Sequence, residues 1–479
     1  MRITALNPPF LPGYSRGQRS PAVTRSGCLY YPIWLSYAVA ALEQAGHEVQ
    51  FIDAPAMDMS SSQVLERIRD FAPSLVVVET STPSIASDVK IADDIASKGL
   101  TVLLVGTHPS ALPAATIALG SLFRGVVAGE YEKPLLGAAE AISENMPLEI
   151  VPGLVLRNEG GIVDTPRAEP LEDLDSLPFV SEVYARHLPV RRYSNPNALH
   201  PQVMIMGGRG CPNHCTFCVF PQTLTGHVFR ARSPVNIVDE VEWVAKNMPE
   251  VRAVFFEDDT MTADRERLAA IAREMIQRRV SMSWSCNMRA DMDFDTLLLC
   301  RKAGLRTVCV GFESGSDRIL AAMGKNLTTA RMRRFASDCR RARVRVHGCF
   351  MVGTRGETRA TMEETLSFAL ELNPDTAQFY PLMVYPGTMA YRFACEDGCI
   401  VPASFRDWLK PDGTHNCVVR TVDLSPEDLV DFCDRARRKF YLRPRYLLGK
   451  FMRTVGDRDE RRSVLLAFRT FRRHMLRRG

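Results

Sequence analysis

Three cysteines within eight residues form the most chemically specific feature of this 479-residue sequence. The segment GGRGCPNHCTFCVFP places Cys211, Cys215 and Cys218 in a C-x3-C-x2-C pattern. A 4Fe-4S cluster normally takes four thiolates, so three from one loop would leave one iron open to a small molecule. A zinc site is the alternative, but its fourth ligand would have to be His214 or a distant cysteine. The pattern therefore favours an iron-sulfur cluster with one reactive iron.

The other cysteines are scattered along the chain, and many fall in apolar patterns typical of buried core thiols. A second cluster on Cys395, Cys399 and Cys417 is a weaker alternative. Thirteen cysteines in so long a chain indicate reduced thiols and a metal site, not a disulfide framework.

Six strand-plus-helix units must position the cysteine loop. Their strands are predicted near Val203–Gly207, Ala253–Glu257, Met282–Cys286, Thr307–Gly311, Arg345–Met351 and Thr376–Tyr380. Six consecutive units predict a partial (β/α)6 barrel, whose chemistry lies at the carboxyl ends of the strands. The cysteine loop follows the first strand, and the segments FFEDDT, NMRAD and VGFESGSD end the next three. We therefore expect these four segments to meet at one edge.

A second alternating pattern precedes the barrel. Strands are predicted at Arg2–Pro8, Val49–Asp53, Leu75–Thr80, Thr101–Gly106 and Gly125–Ala128, with helices between them. This pattern indicates an α/β fold with a doubly wound, Rossmann-like parallel sheet, in which ligands bind beyond the carboxyl ends of the strands.

These patterns divide the chain into four parts. Residues 1–147 form the sheet domain, and residues 148–199 contain a Gly-Gly hairpin and a Pro-rich, acidic linker. Residues 200–390 form the barrel, and residues 391–479 form a helical C-terminal region that becomes rich in arginine.

With its cysteine motif, the barrel resembles the radical S-adenosylmethionine (SAM) superfamily over roughly residues 200 to 390. The resemblance implies that the three cysteines bind the cluster and that its open iron binds the amino and carboxylate groups of SAM. It also implies that Phe217 lies beside the adenine. Glu257, Asp258 and Asp259 resemble the acidic motif that meets the SAM amino group, a partner that suits carboxylates.

Two further motifs are similar to family contacts with SAM. Arg289 ends the third barrel strand, and Glu313 and Ser314 end the fourth. The resemblance implies that these three residues contact the SAM carboxylate and ribose. Surface ion pairs are the structural alternative, and Ser314 could instead cap the following helix.

The N-terminal sheet resembles the cobalamin-binding domain that precedes the barrel in many radical SAM enzymes. A flat corrin on the strand ends requires small and hydroxylated loop residues. The sequence lacks a D-x-H-x-x-G motif, so histidine ligation of cobalt is not expected. The residues that the resemblance places at the cobalamin are Thr80, Ser81, Thr82, Ser84, Gly106, His108, Gly129 and Glu130. A structural histidine, turn glycines, a helix cap and a degenerate domain without cobalamin are the alternatives.

The basic charge of the chain is concentrated at its C-terminus. Residues 434–479 carry 16 Lys and Arg against 4 Asp and Glu, whereas residues 1–433 carry 44 against 51. Aromatic and basic residues interleave in FYLRPRYLLGKFM and FRTFRRHMLRR. Such a tail would suit a peripheral membrane contact, RNA, or an acidic electron donor of the flavodoxin or ferredoxin type. A packed helix with a solvated basic face is the alternative, and DNA is not an expected partner.

Composition narrows the class of protein. A chain with 46% hydrophobic and 24% charged residues is globular, neither disordered nor collagen-like. No apolar stretch is long enough to span a membrane, and the N-terminus lacks the basic and apolar regions of a signal peptide. A cytoplasmic location is therefore expected.

The resemblance implies a cobalamin-dependent radical SAM enzyme that acts on a small molecule. The first hypothesis is methylation of an unactivated carbon, through a 5′-deoxyadenosyl radical, in a small-molecule or lipid-like metabolite. Alternatives are dehydration, epimerisation or rearrangement without methyl transfer, and a non-catalytic cobalamin-binding regulator. Substrate identity is not predicted, and Tyr14, Tyr380 and Tyr385 are only weak candidates for a substrate pocket.

Overall fold

Two parallel sheets, each covered by helices, organise the chain. The computed structural model describes residues 1–24, 26–456 and 461. The first sheet has the strand order β4-β1-β5-β6-β7-β8-β9. Its strands are β1 (Arg2–Asn7), β4 (Glu48–Asp53), β5 (Leu75–Thr80), β6 (Thr101–Gly106), β7 (Gly125–Val127), β8 (Leu154–Asn158) and β9 (Gly161–Asp164). A small hairpin, β2 (Tyr14–Ser15) with β3 (Ala22–Val23), follows β1.

Eight helices accompany the first sheet and the linker that follows it. They are α1 (Ile33–Gln44), α2 (Ala54–Met57), α3 (Ser61–Phe71), α4 (Ile85–Ala96), α5 (Thr107–Ala111), α6 (Pro113–Leu119), α7 (Glu132–Ser143) and α8 (Val180–His187). The predicted doubly wound sheet is confirmed, and β5 and β6 begin and end at the predicted residues. Their continuous Val and Leu runs are typical of strands buried on both faces.

The Gly-Gly hairpin belongs to the first sheet. β8 pairs with β7 in antiparallel orientation, with Val126 opposite Val155, and β9 continues the pairing. The hairpin therefore extends the parallel sheet by two antiparallel strands and covers an edge of β7 that would otherwise expose unpaired backbone groups.

The second sheet is a six-stranded, all-parallel partial barrel. Its order β10-β13-β14-β15-β16-β17 follows the chain, as consecutive βα units predict. The strands are β10 (Gln202–Ile205), β13 (Ala253–Phe256), β14 (Ser283–Met288), β15 (Leu305–Glu313), β16 (Arg345–Val352) and β17 (Thr376–Pro381). β11 (Gly208–Arg209) and β12 (Arg230–Ala231) form a two-stranded ribbon that encloses the cysteine loop.

Helices cover the outside of the barrel and continue into the C-terminal region. They are α9 (Pro234–Asn247), α10 (Arg265–Gln277), α11 (Phe294–Lys302), α12 (Asp317–Ala322), α13 (Thr329–Ala342), α14 (Arg359–Leu372), α15 (Met389–Glu396), α16 (Pro426–Tyr441) and α17 (Pro444–Gly456). Within residues 1–24, 26–456 and 461, no helix is long and apolar enough to cross a bilayer.

Helix α1 joins the two sheets. Its residues from Ile33 to Leu42 are all buried, in an apolar core that includes strands of both sheets. Tyr37 on this helix accepts a hydrogen bond of 2.9 Å from the backbone N–H of Met206, just after β10. Arg209 lies 5.1 Å from the rings of both Trp34 and Tyr37. The start of the cysteine loop is therefore packed directly on the N-terminal domain.

Candidate functional site

The cysteine loop is held by hydrogen bonds to its backbone. Cys211 and Cys215 are buried, and Cys218 is half-buried. The Gln222 side-chain amide donates to the carbonyl oxygens of Cys215 (3.2 Å), Thr216 (3.2 Å) and Cys218 (2.8 Å). The loop that carries the three thiols is therefore shaped by one side chain located directly after the motif.

A second loop packs against the cysteine motif from the end of α12. The N–H of Thr216 donates to the carbonyl of Met323 at 2.9 Å. Gly324 has φ +66°, and a Cβ there would lie 2.6 Å from the His214 carbonyl oxygen. Only glycine combines that backbone conformation with so close an approach.

The donor set fits an iron-sulfur cluster. Burial raises the pKa of Cys211 and Cys218, so both thiols stay protonated without a positive partner. Iron supplies that charge and binds the thiolate form. Among the described residues, no group of three or more His, Cys, Asp or Glu is placed to hold a single metal ion.

The alternative second cluster has no support in the C-terminal region. The Cys399 thiol donates to the Asp397 carbonyl at 3.6 Å, and the Cys417 thiol donates to the Val419 carbonyl at 3.3 Å. Cys395 is exposed. These three cysteines behave as ordinary local side chains.

The acidic motif after β13 divides into two faces. Asp259 accepts hydrogen bonds from the Gly210 N–H (3.1 Å) and the Thr225 hydroxyl (2.8 Å), and so holds the cysteine loop. Glu257 is buried on the same side, where burial raises its pKa. Asp258 lies on the other side and accepts from the Gly207 N–H at 2.7 Å. The structure thus brings Glu257 and Asp259 to the cysteine loop and turns Asp258 away.

An arginine of the N-terminal domain meets this acidic motif. Arg19 forms ion pairs with Glu257 and Asp259. Its guanidinium also donates to the backbone carbonyls of Glu257 (3.1 Å) and Asp258 (3.0 Å). The two carboxylates are therefore already positioned to bind a cationic nitrogen.

A buried lysine organises the other predicted SAM contacts. Lys325 Nζ lies 3.0 Å from Glu313 Oε1 and 5.9 Å from the centre of the Phe217 ring. Arg289 donates to the Lys325 carbonyl at 2.8 Å. Burial alone would lower the pKa of Lys325, but the Glu313 carboxylate raises it above its ordinary value. Phe217 and Glu313 thus lie near the ammonium group of Lys325, and Arg289 contacts the backbone of the same residue.

Glu313 retains capacity for a ligand. Its φ is +63°, an uncommon conformation for a residue with a side chain. Its second carboxylate oxygen is buried without a hydrogen-bond partner. Such an oxygen costs free energy until a donor reaches it. A ribose hydroxyl or an amino group would be such a donor, so this residue fits SAM.

Ser314 is turned into the protein. It is fully buried, lies 3.1 Å from the Thr365 hydroxyl of α14, and accepts from the Ser316 N–H at 3.1 Å. Ser316, not Ser314, is the residue at the start of α12. Ser314 therefore shapes the turn after β15 and does not cap the helix.

The hydroxyl residues after β5 form one buried network. Ser81 Oγ lies 2.8 Å from the Tyr14 hydroxyl and 2.7 Å from Ser84 Oγ. Ser84 donates to Asp88, and Thr80 donates to the Val105 carbonyl at 2.9 Å. Together with Thr82, these residues form a row of small polar side chains, here called the hydroxyl row, that is buried and hydrogen-bonded within the protein.

The neighbouring strand end completes the row. His108 Nδ1 lies 3.1 Å from Thr82 Oγ1, and burial lowers the pKa of His108 to about 4, so the ring is neutral at pH 7. Gly106 has φ +134°, and a Cβ there would lie 2.3 Å from the Thr80 carbonyl oxygen. Phe405 covers this edge, with its ring 5.0 Å from that of His108.

The last two predicted cobalamin residues have different partners. Gly129 donates its N–H to Ser110 at 3.0 Å. Glu130 forms ion pairs with Arg209 (3.4 Å) and with Arg230 of the barrel domain. Glu130 therefore joins the two domains, whereas Gly129 stays beside Gly106, because the Ser110 hydroxyl donates to the Gly106 carbonyl at 2.7 Å.

The three tyrosines considered for a substrate pocket have different surroundings. Tyr14 and Tyr385 are buried and hydrogen-bonded, Tyr14 to Ser81 and Tyr385 to Ser20 at 2.9 Å. Tyr380 is half-buried at the end of β17.

Three contributors to the site were not predicted from the sequence. Arg19 lies in the loop segment GYSRGQRS, Lys325 follows α12, and Gln222 follows the cysteine motif. Gln222 is the only one whose position, four residues after the last cysteine, could have drawn attention to it. The other two reach the site through contacts between distant parts of the chain.

Family models match both parts of this arrangement. Residues 205–369 match the radical SAM superfamily, and residues 19–139 match the B12 binding domain. An uncharacterized methyltransferase of Pyrococcus horikoshii is 27% identical over 422 residues, which cover 87% of this chain and 89% of that protein. The anaerobic magnesium-protoporphyrin IX monomethyl ester cyclase of Cereibacter sphaeroides is 27% identical over 451 residues, which cover 87% of this chain and 70% of the cyclase.

A solved structure has a similar fold. The radical SAM methyltransferase TsrM from Kitasatospora setae aligns with a TM-score of 0.69 at 21% identity, over 90% of this chain and 88% of TsrM. TsrM has been solved with tryptophan and a SAM analog, and with cobalamin and a 4Fe-4S cluster. The two family models match in the same order along the chain as the two sheets. The chain therefore belongs to the cobalamin-binding-domain radical SAM enzymes, whose cofactors are a 4Fe-4S cluster, SAM and cobalamin.

Proposed function

We propose that this cobalamin-dependent radical SAM enzyme methylates an unactivated carbon of a small-molecule or lipid-like metabolite. The observation that carries the proposal is the ion pair between Arg19 of the cobalamin-binding domain and Glu257 at the end of β13. It connects the segment beside the hydroxyl row with the residues beside the cysteine loop. The two cofactor-binding edges therefore adjoin, as a methyl transfer between them requires.

The cofactors supply the bond chemistry, and the chain binds and orients them. When bound, the reduced cluster and SAM would supply a 5′-deoxyadenosyl radical for hydrogen abstraction, and cobalamin would carry the methyl group, with a second SAM and one further electron needed to methylate the cobalt again. We assign the cluster to Cys211, Cys215 and Cys218. Gln222 fixes the backbone of their loop, so the three thiols would hold the cluster in one orientation.

We assign SAM to the residues around that loop. Glu257 and Asp259 would accept hydrogen bonds from its amino group, and Phe217 would lie against its adenine. Arg289, Glu313 and Lys325 would bind its carboxylate and ribose, because they present two cations and one buried carboxylate with a free oxygen. Asp258 and Ser314 would act indirectly, by holding the backbone at the ends of β13 and β15.

We assign cobalamin to the hydroxyl row formed by Thr80, Ser81, Thr82 and Ser84, with Gly106 and His108 beside it. The small side chains would let a flat ring approach the backbone. Gly129 would support the turn at Gly106 through Ser110, and Glu130 would fix the barrel domain beside that ring.

Product stoichiometry tests the proposal. The protein is reconstituted without oxygen, with iron, sulfide and hydroxocobalamin, and is incubated with SAM, a strong reductant and candidate substrates. Methyl transfer produces S-adenosylhomocysteine together with 5′-deoxyadenosine. Replacing all three loop cysteines by Ala should abolish both products. Cys395→Ala removes an exposed thiol outside the loop and should leave both unchanged.

The cyclase relative favours a second candidate function. Its name describes a ring closure, which is radical chemistry without methyl transfer. Under that alternative, or with dehydration, epimerisation or rearrangement, 5′-deoxyadenosine forms without S-adenosylhomocysteine, or SAM is regenerated. A non-catalytic cobalamin-binding regulator would keep its function after the loop cysteines are replaced.

We also propose a flavodoxin- or ferredoxin-type electron donor, because the cluster must receive an electron in each radical-forming turnover. The arginine-rich C-terminal region would attract an acidic partner through long-range electrostatics. Reduction by such a donor should then slow as the salt concentration rises, whereas reduction by dithionite should change less. The cytoplasm is the proposed compartment, where thirteen free cysteines would stay reduced.

Helix α17 supports a peripheral membrane contact. Tyr446 fixes one side of it by donating to the Asp375 carbonyl at 2.9 Å, while Leu447, Leu448, Phe451 and Met452 are exposed. The segment FRTFRRHMLRR lies outside the described residues. Flotation with vesicles of phosphatidylcholine, with and without phosphatidylglycerol, tests this contact. Phe451→Glu should weaken binding to the anionic vesicles, and Val422→Glu, at an exposed apolar residue elsewhere, should not.

A further inference from the structure

The segment that carries Arg19 is firmly attached to the N-terminal domain. Arg16 forms an ion pair of 2.6 Å with Asp88, and both side chains are fully buried. Arg16 also donates to Asn7 at 2.9 Å. Tyr14 contacts Ser81 of the hydroxyl row. The start of this segment therefore cannot move freely relative to the first sheet.

Three residues later, the side chain of Arg19 reaches the barrel domain. Its guanidinium contacts both carboxylates and two carbonyl oxygens of the acidic motif after β13. The same guanidinium lies 4.9 Å from the centre of the Phe220 ring. Its side chain is 28% exposed, whereas those of Glu257 and Asp259 are 6% and 3% exposed. Arg19 is therefore the charge that compensates two almost fully buried carboxylates.

These acceptors are the ones assigned above to the SAM amino group. An ammonium group needs the same carboxylate and carbonyl oxygens that the guanidinium now uses. Two cations held by the same oxygens would repel each other in a poorly solvated site. The acceptors can therefore satisfy Arg19 or the SAM ammonium, but they cannot fully satisfy both.

We propose that Arg19 is a positioning residue of the SAM site that occupies the ammonium subsite until SAM displaces it. In the free enzyme it pairs with Glu257 and Asp259 and holds both carboxylates in place. SAM then exchanges one cation for another, so its affinity is set by competition with a side chain of the cobalamin-binding domain. This inference rests on the proposed assignment of Glu257 and Asp259 to the SAM amino group.

The displaced side chain remains near the site. Arg16 holds the segment on one side, and Ser20 holds it on the other through Tyr385 (2.9 Å) and His415 (3.0 Å). Exchange therefore requires rotation of the Arg19 side chain and no separation of the domains. Through Tyr14 and Ser81, the same segment contacts the hydroxyl row assigned to cobalamin.

Calorimetric binding to the reconstituted holoenzyme tests the competition. The ligands are SAM and 5′-methylthioadenosine, which has the adenosine and sulfur but no amino acid group. Charge-assisted hydrogen bonds are among the stronger ones, so removing the competing guanidinium in Arg19→Gln should tighten SAM binding about tenfold or more. Binding of 5′-methylthioadenosine should stay unchanged. Arg19→Lys keeps a cation and should stay near the wild-type affinity.

Arg124→Gln is the matched control, because Arg124 is a similarly exposed arginine of the N-terminal domain that pairs with Glu149 at 2.7 Å. It should leave both affinities unchanged. Unchanged or weaker SAM binding by Arg19→Gln would overturn the proposal, since weaker binding would make Arg19 a direct SAM contact. A wild-type holoenzyme that binds neither ligand would instead refute the proposed SAM site.

Discussion

Replacing Lys325 by Met tests whether the Glu313–Lys325 pair organises the site. The ammonium and carboxylate are 3.0 Å apart, with side chains only 8% and 5% exposed. Removing one partner of a buried pair leaves an uncompensated charge and typically costs about 3–5 kcal/mol. The second Glu313 oxygen already lacks a partner, so no nearby donor replaces the lost ammonium. We expect Lys325→Met to lower the free energy of unfolding by about 3 kcal/mol or more.

The assay is urea denaturation of the cluster-free protein at pH 7.5 without oxygen, followed by circular dichroism. The double variant Lys325→Met with Glu313→Gln removes both charges and should recover much of the loss. Lys302→Met, at the end of α11, is the control and should change stability by less than about 0.5 kcal/mol. If Lys325→Met stays within about 1 kcal/mol of the wild type, or the double variant is no better than the single one, the pair does not have this role.

Three further predictions concern Gln222, Gly324 and Asp258. Gln222→Leu leaves the carbonyls of the cysteine loop without their hydrogen-bond donor, which should destabilise the loop by about 1–3 kcal/mol. Less iron should then be retained per chain after reconstitution and gel filtration. Gly324→Ala places a Cβ 2.6 Å from the His214 carbonyl, so iron content should fall here too, and normal content would show that the loop relaxes easily. Burial raises the pKa of Asp258 to about 6. Above pH 6 the ionised carboxylate therefore destabilises the fold by about 3 kcal/mol, and protonation removes this destabilisation as the pH falls toward 4. Asp258→Asn should therefore be more stable than the wild type at pH 7, with the difference shrinking toward pH 4, as denaturation at several pH values would measure.

Local sequence patterns were enough to predict most of the two sheets. The run LVVVET became β5 at the predicted residues because strands covered on both faces need continuous apolar residues. The alternation within the acidic motif was also predictable in principle, since successive residues at a strand end point to opposite faces. That rule separates Glu257 and Asp259 from Asp258, as the structure does. The expectation that all three carboxylates meet the SAM amino group does not take this alternation into account.

Long-range contacts could not be predicted in this way. The Gly-Gly hairpin was correctly expected, but its pairing with β7 depends on which edge of the sheet is free, and no local residue encodes that. Arg19 meets Glu257 across 238 positions of the chain. Lys325 lies in the loop that follows α12, and nothing in its sequence neighbourhood distinguishes it from a surface lysine. Its ion pair with Glu313 forms only in the folded chain, where the end of α12 packs on the cysteine loop.

Ion pairs of a residue next to the cysteine loop fix the orientation of that loop relative to the first sheet. Arg209, two residues before Cys211, is 1% exposed and forms ion pairs with Glu132 (2.6 Å) and Glu130 (3.4 Å) of the N-terminal domain. Buried ion pairs contribute little net stability, because desolvation offsets most of the attraction, but unpaired buried charges are costly. Separating Arg209 from Glu132 would leave two buried charges without each other. The network therefore favours one placement of the cysteine loop relative to the N-terminal sheet, and the methyl transfer that we propose would depend on that placement.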